Sequence, residues 1–166
     1  KGKPILKVPA PLIIKEGAKV MSLTDGTNKM SKSDANENSR ITLLDSPELI
    51  NKKIKRAKTD AEIGLEFDNP DRPEANNLLN LYSILSGNPR DVVAKECASM
   101  GWGTFKPLLA EVTIASLTPI QTHYKELMSD RRELKRILEN GRDQAEEVAQ
   151  STLNRVRIAM GLLSRS

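Results

Sequence analysis

Lys29-Met30-Ser31-Lys32-Ser33, preceded by Thr24-Asp25-Gly26-Thr27-Asn28 and followed by Asp34-Ala35-Asn36, carries no periodic apolar face. Neither a helix nor the core of a strand is expected there, and the stretch reads as an exposed, mobile basic loop. Two lysines three residues apart alternate with small hydroxyl side chains. Ammonium groups on long stems, serine hydroxyls and free backbone N–H groups together suit a polyphosphate, and a nucleoside triphosphate is the expected ligand. Lysine and serine loops are also common on ordinary protein surfaces, so composition alone does not decide the matter.

Upstream, Val20-Met21-Ser22-Leu23 is short and apolar and is expected to form a buried strand ending in the polar turn at Thr24 to Asn28. That places the basic loop beyond the carboxyl end of a strand, where ligands bind in open α/β sheets. Further back, Ile5 to Ile14 is broken by Pro9 and Pro11 after Pro4, which suits extended edge structure, and Glu16-Gly17 turns the chain.

The 166 residues suffice for one core, or for a small domain and a piece of another. The opening Lys1-Gly2-Lys3-Pro4 resembles neither a signal peptide nor a domain start, so a fragment is expected. No apolar run reaches the roughly 20 residues of a membrane span. The single cysteine, Cys97, excludes an internal disulfide, fits a reducing compartment and is expected in the core. Lysine and arginine number 26 against 22 aspartates and glutamates, a net charge of +4. Lys1, Lys3, Lys7, Lys15, Lys19, Lys29 and Lys32 face only Glu16, Asp25 and Asp34, so the whole surplus lies in residues 1–36. A local anion is favoured over general coating of nucleic acid.

Beyond the loop the residues are helix formers. Asp45 or Ser46 can cap a helix over Glu48 to Ala57 with Pro47 in its first position, Leu49, Ile50 and Ile54 on one face and Lys52, Lys53, Lys55 and Arg56 on the others. Lys58 to Arg72 is a polar connector in which Ile63, Leu65 and Phe67 alternate. Helices follow at Glu74 to Leu85 and at Arg90 to Met100, the latter stopped by Gly101 and Gly103, and a long one runs from Phe105 to Met128 with a kink expected at Pro119. Asp130 can cap a helix that buries Leu134, Ile137 and Leu138, Asn140-Gly141 interrupts it, and a last helix runs from Arg142 to Leu163. The helices are expected to form a bundle.

Lys29 to Ser33 is letter for letter the KMSKS signature of class I aminoacyl-tRNA synthetases. Gly17-Ala18-Lys19-Val20-Met21-Ser22-Leu23, Ser33-Asp34-Ala35-Asn36, Asn77-Leu78-Leu79-Asn80-Leu81-Tyr82 and Thr118-Pro119-Ile120-Gln121 also resemble the tryptophanyl-tRNA synthetase family, over about Val8 to Leu163. The fold this implies is mainly α: an anticodon-binding-like helical bundle over 74–166, preceded in 1–73 by the last strand and KMSKS loop of a truncated Rossmann-type α/β domain. The activity it implies is activation of L-tryptophan by ATP to the adenylate, then transfer to tRNA(Trp). The sites it implies are Lys29 and Lys32 as catalytic cations and Val20, Lys29, Met30, Ser31, Lys32 and Ser33 against ATP, Val20 through its backbone.

Met30 has two readings, a tether packing the loop on apolar neighbours or a backbone contact to adenine. Ser31 and Ser33 either donate to phosphate or simply form the turn, and Asp34 orders the loop or caps the segment after it. Ala35 stands where the family usually has proline. Mg2+ is implied only as carried by the ATP phosphates, and no dedicated metal cluster is visible. The family's histidine-containing motif and its amino-acid pocket do not occur here; the one histidine, His123, reads as a surface or packing residue. The fragment alone is therefore expected to be inactive.

Arg131, Arg132, Lys135 and Arg136 are candidates for tRNA contact, weighed against an ordinary solvated face interleaved with Glu133 and Glu139. The resemblance further implies a homodimer in full length, a cytoplasmic location and no membrane. The alternatives are a fragment of the sister tyrosine enzymes and a non-catalytic helical RNA-binding module. A P-loop phosphotransferase is excluded because no GxxxxGK[ST] occurs.

Overall fold

The structure, a computed structural model, describes residues 4–13 and 17–162. Its elements are a single 3-10 turn at Glu37–Ser39 and five helices: α1 (Pro47–Arg56), α2 (Pro73–Ser86), α3 (Arg90–Cys97), α4 (Trp102–Ser129) and α5 (Arg131–Ala159). The chain divides into two compact units, one of Ile13–His123 and one of Lys1–Leu12 with Tyr124–Ser166. α4 thus belongs to the first unit through His123 and to the second from Tyr124 onward.

The strand expected at Val20 to Leu23 does not form among the described residues. Its place is taken by one antiparallel bridge between Met21 and Lys29, flanked by Ser22 N–H to Asn28 C=O at 2.8 Å and Met30 N–H to Val20 C=O at 2.9 Å. The physical reason is the partner: the segment pairs with its own return across the Thr24 to Asn28 turn. A two-sided ladder needs a further extended segment alongside. Likewise the alternation of Ile63, Leu65 and Phe67 produces no strand; Leu65 is buried and Ile63 is 84% exposed.

In the Ile13–His123 unit, Leu23, Ile50, Ile54, Ala57 and Leu65 pack with Leu78, Leu79, Tyr82, Val93, Cys97, Phe105 and Leu109 in one core. Tyr82 and Trp102 meet Phe105 edge-on, with ring centroids 5.6 and 6.1 Å away. Cys97 is fully buried, as expected, and burial pushes its thiol up to about 11. α1 begins where Ser46 Oγ accepts from the Leu49 N–H and Pro47 occupies the first turn. Gly87 ends α2 in the left-handed conformation at φ 73°. Gly101 and Gly103 do not hold Trp102 in a loop; Trp102 and Gly103 open α4, which runs through Pro107 and Pro119.

Two expectations about the last helices are overturned. Asn140-Gly141 does not interrupt them: α5 is continuous from Arg131 to Ala159. One glycine costs a helix interior about 1 kcal/mol, which the strong helix formers on both sides offset. Nor are Leu134, Ile137 and Leu138 buried; α5 has no buried residue, and Leu138 is 64% exposed. The packed helical core therefore consists of α1, α2, α3 and the first turns of α4, and α5 takes no part in it. Leu163, expected at the end of the last helix, lies outside the described residues, as do Ile14 and Glu16.

Candidate functional site

The site is built on the hairpin whose arms are Val20 to Ser22 and Asn28 to Met30. Asp25 shapes its turn by accepting from the Thr27 N–H at 2.9 Å, the Thr27 hydroxyl at 2.6 Å and the Asn28 amide at 2.6 Å. The hydrogen bond from the Thr27 hydroxyl leads in holding the Asp25 carboxyl below its ordinary value. Leu23 anchors the arm in the core and passes its backbone to both sides, its N–H to Ser39 C=O and its C=O from Lys58 N–H.

The return arm delivers Lys29 at the end of the bridge, and its side chain is exposed, as are those of Ser31, Lys32 and Ser33. Met30 is half-buried and packs against the core together with Ile41, and its N–H is committed to Val20. That packing is the contact the tether reading requires. The Val20 carbonyl is taken by the same bond.

Ser31 and Ser33 share a hydroxyl contact at 3.1 Å, and Ser33 N–H donates to Ser31 Oγ at 3.3 Å, so both serines help to form the turn. Asp34 accepts from the Asn36 N–H at 2.8 Å, and Asn36 in turn caps the 3-10 turn. Asp34 therefore orders the loop and leads the chain into that turn. The hydrogen bond from the Asn36 N–H leads in holding the Asp34 carboxyl below its ordinary value.

Val20, Lys29, Met30, Ser31 and Lys32 line one cleft of about 640 Å³, closed on the other side by Arg40, Ile41, Thr42 and Leu43. Of the six residues expected at a nucleotide, only Ser33 does not line it. Sequence reasoning missed Arg40, a third cation in the same cleft, whose guanidinium donates to the Asp34 carbonyl at 2.7 Å. The signal was a lone arginine after a run of turn formers, too common to single out.

The wall at Thr42 and Leu43 is held from behind. Asp45, expected as a possible helix cap, instead accepts from the Thr42 N–H and hydroxyl and pairs with Lys53 at 2.5 Å, both side chains nearly buried. Burial pushes the Asp45 carboxyl up, but the hydrogen bonds from Lys53 and Thr42 outweigh it and leave it below its ordinary value. Gln121 of α4 adds two bonds of 2.9 Å to the carbonyls of Leu43 and Asp45.

The candidates for tRNA contact lie on the first turns of α5, apart from this cleft in sequence and in unit. Arg136 is tied to Glu133 by two short hydrogen bonds and Lys135 to Glu139 at 3.6 Å. Arg131 and Arg132 are exposed with no carboxylate in ion-pair range among the described residues.

The cleft gathers Lys29, Ser31, Lys32 and Arg40 beside the apolar Val20, Met30, Ile41 and Leu43. A family model described as tRNA synthetases class I (W and Y) matches residues 1–118. The chain belongs to that family. It is 69% identical over 164 residues to the tryptophan–tRNA ligase of Prochlorococcus marinus (strain MIT 9313), covering 99% of this chain and 49% of the relative. It is 69% identical over 159 residues to that of Parasynechococcus marenigrum (strain WH8102), covering 96% and 47%.

Among solved structures it resembles the tryptophanyl-tRNA synthetase from Mycoplasma pneumoniae, with a TM-score of 0.78 and 29% identity over 91% of this chain and 47% of that one. The resemblance to the tryptophan enzymes drawn from the sequence is what these relatives return. The chain spans about half the length of the curated relatives it matches. No helix among the described residues is long and apolar enough to cross a membrane.

Proposed function

We propose that this member of the W and Y synthetases carries the triphosphate-closing part of a tryptophan–tRNA ligase, with residues 1–73 on the catalytic side and 74–166 on the RNA side. That division is one of roles, since the packed core runs across it. The observation that carries the proposal is the convergence of Lys29, Lys32 and Arg40 on one cleft. In adenylate formation the tryptophan carboxylate attacks the α-phosphorus of ATP and pyrophosphate leaves with the negative charge. Exposed ammonium groups on the hairpin follow that charge more closely in the transition state than in the ground state, which is what lowers a barrier.

An ammonium about 4 Å from a phosphate oxygen gains roughly 4 kcal/mol at an effective dielectric near 20, before desolvation is deducted. Ser31 and Ser33 add hydroxyl donors, Met30 keeps the loop seated on the core, and the Val20 N–H faces the base. The donor set of the cleft, cations and hydroxyls, suits phosphate oxygens and does not suit a divalent cation. Mg2+ in this reading arrives on the ATP, and no step is routed through it. A cytoplasmic homodimer taking up L-tryptophan and tRNA(Trp) completes the reading, with Arg131, Arg132, Lys135 and Arg136 toward the RNA.

In the full-length enzyme, Lys29→Ala and Lys32→Ala each slow tryptophan-dependent pyrophosphate exchange by on the order of 10² to 10³, while tryptophan binding by equilibrium dialysis stays within about twofold. A doubly substituted enzyme exchanging at the parental rate refutes the assignment. The 166-residue chain alone is expected to show no exchange, and any tryptophan-dependent exchange from it would overturn that half of the proposal.

A further inference from the structure

The hairpin that carries Lys29 has an outer edge as well as an inner one. Ser22 and Asn28 bond on one side of the Met21–Lys29 pair and Val20 and Met30 on the other, so the N–H and C=O of Met21 itself point away from the returning arm. A half-buried peptide edge without partners is costly.

Here the edge is filled by one side chain. Asn77, 5% exposed on α2, accepts from the Met21 N–H at 3.0 Å and donates to the Met21 C=O at 3.0 Å, reaching the Ser22 C=O at 3.4 Å. Its carboxamide does what the peptide group of an adjacent strand would do. A second point of attachment lies at the turn. Gly26 is buried against the start of α2, where a Cβ would sit 2.6 Å from the Glu74 nitrogen, and Glu74 accepts from the Gly26 N–H at 3.4 Å and from Lys58 at 2.7 Å.

We propose that Asn77 is a positioning residue for Lys29: by pairing both backbone groups of Met21, it sets where the directly opposite Lys29 leaves the hairpin. The assignment rests on the reading of Lys29 as a cation acting on the triphosphate. Past Met30 the restraints change character. Ser31 to Asn36 are held by bonds within the loop and by Arg40 on the Asp34 carbonyl. The base is bolted to α2 and the tip is not, so Asn77 governs Lys29 strongly and Lys32 weakly.

The difference between the two lysines separates positioning from mere stability. In full-length enzyme, Asn77→Ala is combined with Lys29→Ala and, separately, with Lys32→Ala, and pyrophosphate exchange is expressed as kcat per titrated active site. Asn77→Ala alone is expected to lower that kcat 10- to 100-fold with the ATP KM changed less than threefold. In the Lys29→Ala background it lowers kcat by less than threefold, whereas in the Lys32→Ala background it retains most of its single effect.

Equal losses in all three backgrounds overturn the proposal, as does a lower yield of active sites with an unchanged kcat per site. Should Asn77→Ala not fold, Asn77→Asp keeps the volume and the acceptor for the Met21 N–H but loses the donor, and the same comparison applies to it. Lys29→Ala at the parental rate would instead refute the triphosphate reading, and this assignment with it. An impaired Lys29→Ala with additive losses removes the assignment alone.

Discussion

Arg72 shows how one side chain can hold a connector that has no secondary structure. Its guanidinium, 5% exposed, binds Asp60 through two nitrogens at 2.8 and 2.9 Å and the Gly64 carbonyl at 2.8 Å, while Trp102 Nε1 donates to the same carboxylate at 3.2 Å. The Arg72 hydrogen bonds hold the Asp60 carboxyl down at about 2. A carboxyl depressed in the folded state gives its stabilisation in full above its unfolded value near 3.8, and loses it as pH falls toward about 2. Thermal melts are thus expected to drop steeply between about pH 4 and pH 2, and Asp60→Asn to flatten that drop.

At neutral pH the same substitution costs about 3 kcal/mol, because it leaves the buried guanidinium with only the exposed Glu62 carboxylate, 3.6 Å away, as counter-charge. A parental and an Asp60→Asn protein with parallel acid profiles would disprove the assignment. The sequence could not foretell this pair, since Asp60 and Arg72 both sit in a polar run where every charge looks solvated. Lys53 is different. It falls three residues after Ile50 and beside Ile54, on the apolar stripe of α1, and its burial against Asp45 was legible from spacing alone had charge not overruled it.

At the scale of elements, periodicity located the first four helices to within a few residues and split the fifth in two, failing where it had to weigh one residue against many. Gly141 is the clearest instance: it lies mid-helix in α5, and a Cβ there meets nothing within 4 Å. Gly141→Ala removes a backbone entropy cost and introduces no clash, so stability rises by about 0.5 to 1 kcal/mol. A thermal melt followed at 222 nm reads it, and a lowered midpoint would mean that the glycine is there for a contact this chain does not make by itself. The strand expectation failed for another reason. The apolar run at Val20 to Leu23 reads as a buried strand, but a strand is a property of pairs, and the partner of Met21 is a side chain from α2, 56 positions away. No local pattern encodes that.

For the whole molecule, charge is the quantity that separates the two proposed roles. In sequence the +4 surplus falls within residues 1–36 and the rest of the chain is balanced, and of those lysines Lys29 and Lys32 line the cleft while Lys7 belongs to the unit that contains α5. A triphosphate would meet Lys29, Lys32 and Arg40 already gathered on one cleft, whereas RNA held along α5 has to be met by individual cations freed from their neighbours. Arg136 and Lys135 are occupied by Glu133 and Glu139, and Arg142 by Asp143. Each would have to exchange a carboxylate for a phosphate at little net gain. Arg131 and Arg132 need no such exchange, and they stand at the opening of α5 beside its capping Asp130.

If RNA lies there, replacing either arginine by alanine in the full-length enzyme weakens tRNA(Trp) binding and reduces the steepness of log K against log salt by about one unit per residue. Arg136→Ala, by contrast, leaves that slope nearly unchanged. Titrations between about 50 and 200 mM salt resolve such a difference, because a contact to even a few phosphates moves affinity by an order of magnitude or more over that range. Slopes that stay parallel for Arg131→Ala, Arg132→Ala and the parent would place the RNA elsewhere and leave α5 as an ordinary solvated helix.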